Sequence, residues 1–140
     1  MINTDLLSPV IALVAWSMVM WVWLYVTRIP AIIAANMTLD PNQPNGQQMA
    51  LLPAKVRWKA DNYNHLMEQP TIFYALVISL ALLADTTLFT LMMAWAYVIL
   101  RVIHSLYQAL FNRIEIRFGL FMLSNVPLLG LTFQAIKAVL

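Results

Sequence analysis

The chain contains no cysteine in 140 residues. That excludes a disulfide scaffold, a thiolate metal site and a cysteine nucleophile, so any thiol chemistry needs a thiol carried in by a ligand. Charge is also scarce. Only 10% of positions are charged and 62% are hydrophobic, where a soluble domain has about 25% charged residues. Too few charges remain to solvate a globular surface, which excludes a soluble monomer and makes lipid the expected solvent. Glycine is limited to three residues, and neither a phosphate-cradling glycine loop nor a nucleophile elbow occurs. The eight basic residues outnumber the six acidic ones to give a net charge of +2. They form no dense cluster, so nucleic acid is not an expected partner. Two histidines without a matching carboxylate pair give no reason to expect a metal.

What the chain does have is long apolar runs. A bilayer core about 30 Å thick takes about 20 apolar residues of helix. Charge-free stretches cover residues 6–27, 69–84, 86–100 and 118–136. The middle two are short for the purpose and reach spanning length only by continuing through polar residues. The expected spans are therefore about 6–27, 62–84, 86–112 and 117–138 of one domain, 1–140. The fold class is all-α, a four-helix up-and-down transmembrane bundle. The first run is read as a span rather than a cleaved leader, because no Lys or Arg precedes it and it exceeds a signal core. Asp40-Pro41-Asn42-Gln43-Pro44-Asn45-Gly46 gathers turn formers into the one long loop. Pro70 and Pro127 are expected to kink their helices.

The charges sort by side. Arg28, Lys55, Arg57 and Lys59 fall in the first connection and Arg113 and Arg117 in the third, while the second has only Asp85. The positive-inside bias then puts both basic connections in the cytoplasm and both termini outside.

Polar residues inside the spans form stripes. With Arg101 at zero and about 100° per residue, His104, Ser105, Gln108, Asn112 and Glu115 all fall within about 60° of it. On the second span Arg57, Asp61, Asn64, Glu68 and Thr71 share a side, with His65 at the margin. An ionisable group at the bilayer centre costs at least about 2.5–3.5 kcal/mol, so these stripes should face a protein interior or water. The expectation is that they face each other. The simpler reading is that Arg101 and Glu68 pair to fix helix register, with His104 and Asn64 as hydrogen-bonding glue. Against it stands a surplus of cations at the same end, Arg28, Arg113 and Arg117, which would suit an anionic ligand held by guanidinium forks. Arg113 alone is read more simply as a topology-setting charge.

Two blocks give this chain a family resemblance. Asn62-Tyr63-Asn64-His65-Leu66-Met67-Glu68-Gln69-Pro70-Thr71-Ile72-Phe73 and Arg101-Val102-Ile103-His104, followed by Arg113 and Arg117, resemble the second-helix signature and the third helix with its loop in MAPEG proteins. MAPEG denotes the membrane-associated proteins in eicosanoid and glutathione metabolism. The resemblance implies a homotrimer with glutathione between subunits near the cytoplasmic side, lipids as neighbours and a hydrophobic small molecule as substrate. It further implies that Arg117 is the catalytic residue stabilising the glutathione thiolate. Arg28, Asn64, His65, Glu68, Arg101, His104, Gln108 and Arg113 would then bind the tripeptide, with Glu68 available to its ammonium.

The chain departs from the family pattern at several of these positions. His65 stands where the family usually has asparagine, Asp61 and Asn64 stand where glutathione-handling members tend to have arginines, and Gln108 and Phe121 replace tyrosines. Arg57 or Lys59 compensates only if its helix begins early enough to aim it inward. The expected function is glutathione transferase or peroxidase chemistry on lipid electrophiles. A non-catalytic lipid-binding or scaffolding protein of the same fold is the alternative. A small transporter or channel subunit is a third reading, and it predicts no affinity for glutathione.

Overall fold

The computed structural model describes residues 1–140 and is all-helical. Four helical stretches are long and apolar enough to cross a membrane: Thr4–Ala34, Ala54–Leu82, Leu88–Leu110 and Ile114–Val139. The regular elements are α1 (Leu7–Ala34), α2 (Ala54–Glu68), α3 (Pro70–Leu82), α4 (Leu88–Leu110) and α5 (Ile114–Val139).

Within α1 the hydroxyls of Ser17 and Thr27 return their hydrogen bonds to the helix itself. Ser17 donates to the Leu13 carbonyl at 2.9 Å, and Thr27 to those of Trp23 and Leu24 at 3.0 Å. In lipid such groups find no water, and this leaves the outward side free to be wholly apolar. Val14, Met18, Val22 and Val26 are accordingly exposed.

Several helix ends differ from the sequence expectation. α1 runs on through Arg28 and Pro30 to Ala34, since the first charge marks the rim of an apolar run and need not end the helix. α2 begins at Ala54, directly after Pro53 in extended conformation (φ −52°, ψ 144°). α4 stops at Leu110, because Asn112 takes a left-handed φ of 53°, a conformation that asparagine tolerates better than most residues. Asn112 and Glu115 therefore lie beyond α4, and the stripe on that helix is shorter than expected. Pro70 interrupts the helical hydrogen bonding between α2 and α3, yet Gln69 keeps helical torsions (φ −61°, ψ −37°) and the span runs through. Pro127 sits inside an unbroken α5.

The spans alternate in direction. Asn3 binds the Ala81 carbonyl through its N–H at 3.0 Å, while Lys59 lies over the Trp23 ring at 5.3 Å, so α1 and the α2–α3 span are antiparallel. Gln134 reaches Thr87, just before α4, at 3.3 Å and Thr90 in its first turn at 3.4 Å, which sets α5 against α4. The core between them holds Leu13, Met20, Phe73, Val77, Leu80, Tyr97 and Leu131. Phe73 and Tyr97 stack there at 4.6 Å.

At the end bearing both termini, Asp85 organises the 83–87 turn. Its carboxylate accepts from the Thr87 N–H at 2.8 Å and from the Thr90 hydroxyl at 2.6 Å, and its carbonyl accepts from the Asn3 amide at 2.5 Å. Partial burial pushes its pKa up, but the threonine donors together with Lys137 outweigh that and hold the carboxyl below its ordinary value.

Candidate functional site

α4 turns its polar residues into the bundle. Arg101, His104, Ser105 and Gln108 are 0%, 1%, 0% and 3% exposed, so this stripe meets protein on all sides. Arg101 Nη2 lies 2.9 Å from His65 Nδ1. A guanidinium can only donate, so Nδ1 accepts, and a neutral His65 carries its proton on Nε2. The His65 and His104 rings stack at 5.1 Å, and Phe121 of α5 closes the cluster, 5.4 Å from His65 and with its ring 5.8 Å from the Arg101 guanidinium. One turn towards the basic end, Ser105 Oγ accepts from Asn62 at 2.8 Å and from Trp16 at 2.9 Å. In the opposite direction Gln69, between α2 and α3, joins its span to α5 and α4, donating to Asn125 at 2.6 Å and accepting from Tyr97 at 3.2 Å. Five buried polar atoms of this seam have no protein partner: Arg101 Nε and Nη1, His104 Nδ1, Gln108 Oε1 and Asn62 Oδ1.

The two expected stripes do not face each other. α4 meets α2 through Asn62 and His65, whereas Asp61, Asn64 and Glu68 are exposed on the chain. The angular reading placed α2 correctly about its own axis and erred on which side the neighbour lies. Arg101 contacts His65 rather than Glu68, so no Arg101–Glu68 pair fixes the register.

The exposed side of α2 opens on a pocket of ≈ 360 Å³, at the low end of the roughly 300–1,000 Å³ that small-molecule sites occupy. Arg28 of α1, Arg57, Asp61 and Asn64 of α2, and Asn45 and Met49 of the long loop line it. The early start of α2 is what places Arg57 in this wall. Arg57 spends its Nε on the Leu52 carbonyl at 3.0 Å, while Arg28 Nε is buried with no partner. Lys59 is turned away, 8% exposed and held over Trp23. Gly46, at φ 81°, makes the left-handed turn that brings the loop back over the pocket.

The remaining candidates fall outside the pocket. Glu68 and Arg113 are exposed and line no cavity of the chain. Arg117 is half-buried and donates to Asn112 Oδ1 at 2.6 Å, which fixes it to the left-handed turn after α4. Both Arg101 and Arg117 stand within electrostatic reach of the two imidazoles. Arg28 and Asn64 are thus brought together in one place, and His65, Arg101 and His104 in another. A wholly apolar groove of ≈ 500 Å³ runs between α1 and α4, with Trp16, Val19, Trp95 and Val102 in its walls.

Sequence reasoning missed Asn62, Trp16, Gln69, Asn125 and the ring of Phe121 as members of the seam. Gln69 and Asn62 lie on the side of α2 opposite the counted stripe, and a three-way helix contact leaves no mark in any single helix's periodicity. No group of three or more His, Asp or Glu residues could hold a metal ion.

These observations define a class: a multi-pass integral membrane protein whose polar groups divide between a sealed interhelical seam and a charged pocket at the basic end. The MAPEG family model matches residues 6–137, and the chain belongs to that family of membrane proteins of glutathione and eicosanoid metabolism. No curated protein and no solved structure matches it significantly.

Proposed function

We propose that the chain is a glutathione-dependent transferase or peroxidase of the membrane, working as a homotrimer on hydrophobic electrophiles. The observation that carries this reading is the charged outer side of α2. Arg57, Asp61, Asn64 and Glu68 lie on a helix that crosses the membrane; within the chain Arg28 and the loop approach the first three, and Glu68 is left exposed. Charges so placed need a polar partner, and a neighbouring subunit with a polar ligand between supplies one.

The residues present suit glutathione, which brings two carboxylates, an ammonium and a thiol. Arg28, with its unpartnered Nε, and Arg57 offer donors to carboxylates, and Asn64 offers an amide. Bound glutathione supplies the thiolate that the chain lacks. Arg117 stabilises negative charge on a nearby sulfur, because a guanidinium favours the anionic form of a thiol. Glu68, the last residue of α2, and Arg113, just before α5, are both exposed and add charge at the subunit boundary of the proposed trimer. His65, Arg101 and His104 hold α2 against α4 behind the pocket, and the unpartnered atoms of Arg101, His104 and Gln108 leave them free to take up a polar group of the ligand. The apolar groove between α1 and α4 gives a lipid-soluble substrate a path from the bilayer. The basic end faces the cytoplasm and the termini lie outside.

Calorimetric titration of glutathione into detergent-purified protein tests this reading. Binding that weakens at least tenfold in Arg28→Ala, with turnover lost in Arg117→Ala, is the expected result. Absence of binding up to millimolar ligand in a verified trimer would favour the second reading, a non-catalytic lipid-binding member of the family. Asp61 and Asn64, standing where the family resemblance leads one to expect arginines, are the observation in its favour.

A further inference from the structure

Away from the charged pocket, a lysine stands at the head of the apolar groove between α1 and α4. Ala12, Ala15, Trp16 and Val19 give the groove its α1 wall. They share one face of that helix, and Trp23 falls on the same face one turn further on. Trp16 spends its one polar group on Ser105, at 2.9 Å, so the walls offer a guest nothing but apolar surface. Over the Trp23 ring, at 5.3 Å, lies the Lys59 ammonium. Lys59 is only 8% exposed, yet it makes no ion pair or hydrogen bond within the chain. The charge that acts on it is another cation, Lys55, one turn earlier on α2. An aromatic face attracts an ammonium but leaves its N–H donors unspent, so a buried lysine held this way still lacks an anion.

The dimensions match one leaflet. From Ala12 to Trp23 the helix rises about 16 Å, close to half of a hydrocarbon core about 30 Å thick. Tryptophan and lysine favour the level of the headgroups. Lys59 then stands where a phosphate lies, and the groove where an acyl chain hangs.

We propose that the α1–α4 groove and Lys59 bind an anionic phospholipid of the leaflet on the basic side, one acyl chain between the helices and the phosphate on Lys59, with Lys55 adding attraction. A second copy of the chain would cover the apolar walls but would not account for an unpaired lysine at their head, whereas an anionic headgroup supplies the missing charge. The site does not rest on the glutathione reading, because Lys59 lies on the side of α2 opposite Arg57, Asp61 and Asn64. A lipid-soluble substrate entering by this groove displaces the chain.

The test uses the intact protein in bilayers of phosphatidylcholine brominated on its acyl chains, where bromine quenches nearby tryptophan. Trp16 and Trp95 line the groove and Trp23 lies at its head. Trp21, exposed on the opposite face of α1, is first replaced in a Trp21→Phe background. Unbrominated phosphatidylglycerol should relieve the quenching more steeply than unbrominated phosphatidylcholine, a preference of about fivefold, the effect of one lysine near an anionic lipid. Lys59→Met, which keeps the stem and removes the charge, should abolish the preference, and Lys59→Arg should retain it. Ala15→Phe, which fills the groove and leaves the lysine in place, should abolish it as well. Equal relief by the two lipids in the Trp21→Phe protein, or a preference that survives Lys59→Met or Ala15→Phe, overturns the proposal. Should Lys59→Met fail to fold, raising salt from about 0.1 to about 1 M decides: the preference should shrink by screening, and an unchanged one overturns the proposal. If brominated lipid leaves the groove tryptophans unquenched, a neighbouring subunit covers the groove and the proposal falls.

Discussion

On one side of α2, Asn62 and His65 meet Ser105 and Arg101 at hydrogen-bonding distance, and Phe121 covers the contact. On the other, Arg57, Asp61 and Asn64 meet only Arg28 and a loop around an open pocket, and Glu68 is exposed and makes no side-chain hydrogen bond, though it stands within electrostatic reach of His65 and Arg101. The two sides belong to the same fifteen-residue helix and have similar polarity. Their difference lies in what they contact. A buried polar contact between helices fixes register, because leaving it unmade in a low-dielectric interior is costly. Charges left open at the end of a membrane helix have no such contact to make within the chain, and the proposed function gives them a ligand to hold.

Arg101→Ala should break the comparison most severely. It empties the largest fully buried side chain and leaves His65 Nδ1 without its donor, a loss of about 3 kcal/mol or more from cavity and unpaired group together. Thermal unfolding in detergent should show a midpoint lowered by several degrees, whereas Glu68→Gln should leave it unchanged. Next comes Arg28→Ala, expected to cost ligand affinity about ten- to a hundredfold through lost charge-assisted hydrogen bonds while sparing the midpoint. Calorimetry and unfolding on the same preparation check both halves. Ser105→Ala removes the acceptor of both Asn62 and Trp16 and should cost about 1–2 kcal/mol of stability, with glutathione affinity unaltered.

The smallest effect lies at the far end, where Asp85 is only half-buried but is tied by hydrogen bonds to Thr87 and Thr90. Its pKa is lowered from 3.8 in the folded chain, so its contribution is complete above that value. The contribution fades as pH falls from there through the depressed folded value. Protection of the Asn3 backbone amide, which is bonded to the Ala81 carbonyl, against hydrogen exchange, measured relative to the intrinsic rate at each pH, should fall over that window in the wild type. In Asp85→Asn the protection should be lower throughout and show no such fall.

Hydropathy and charge placement made the four spans and their alternation legible, because lipid demands long uninterrupted apolar helices. The helix ends were less so: Pro53, the left-handed Asn112 and the run of α1 past Arg28 are set by local torsions that an apolar count does not see. Periodicity found the buried side of α4 through Arg101, His104, Ser105 and Gln108, and grouped Arg57, Asp61, Asn64 and Glu68 on α2. It could not say which neighbour each side would meet. That depends on the rotation of one helix against another, fixed here by Asn62, His65 and Gln69, which lay off the counted stripe.

The absence of native cysteine allows the central claim to be tested with one introduced thiol at a time. Asn64→Cys, on the open side of α2, and Gln108→Cys, in the sealed seam, are each exposed to a membrane-impermeant maleimide with and without S-hexylglutathione. Rapid labelling at position 64, slowed by the ligand, with no labelling at position 108, is the expected result. Labelling at position 108 that the ligand blocks, with position 64 indifferent to it, would show the seam rather than the open side of α2 to be the ligand site.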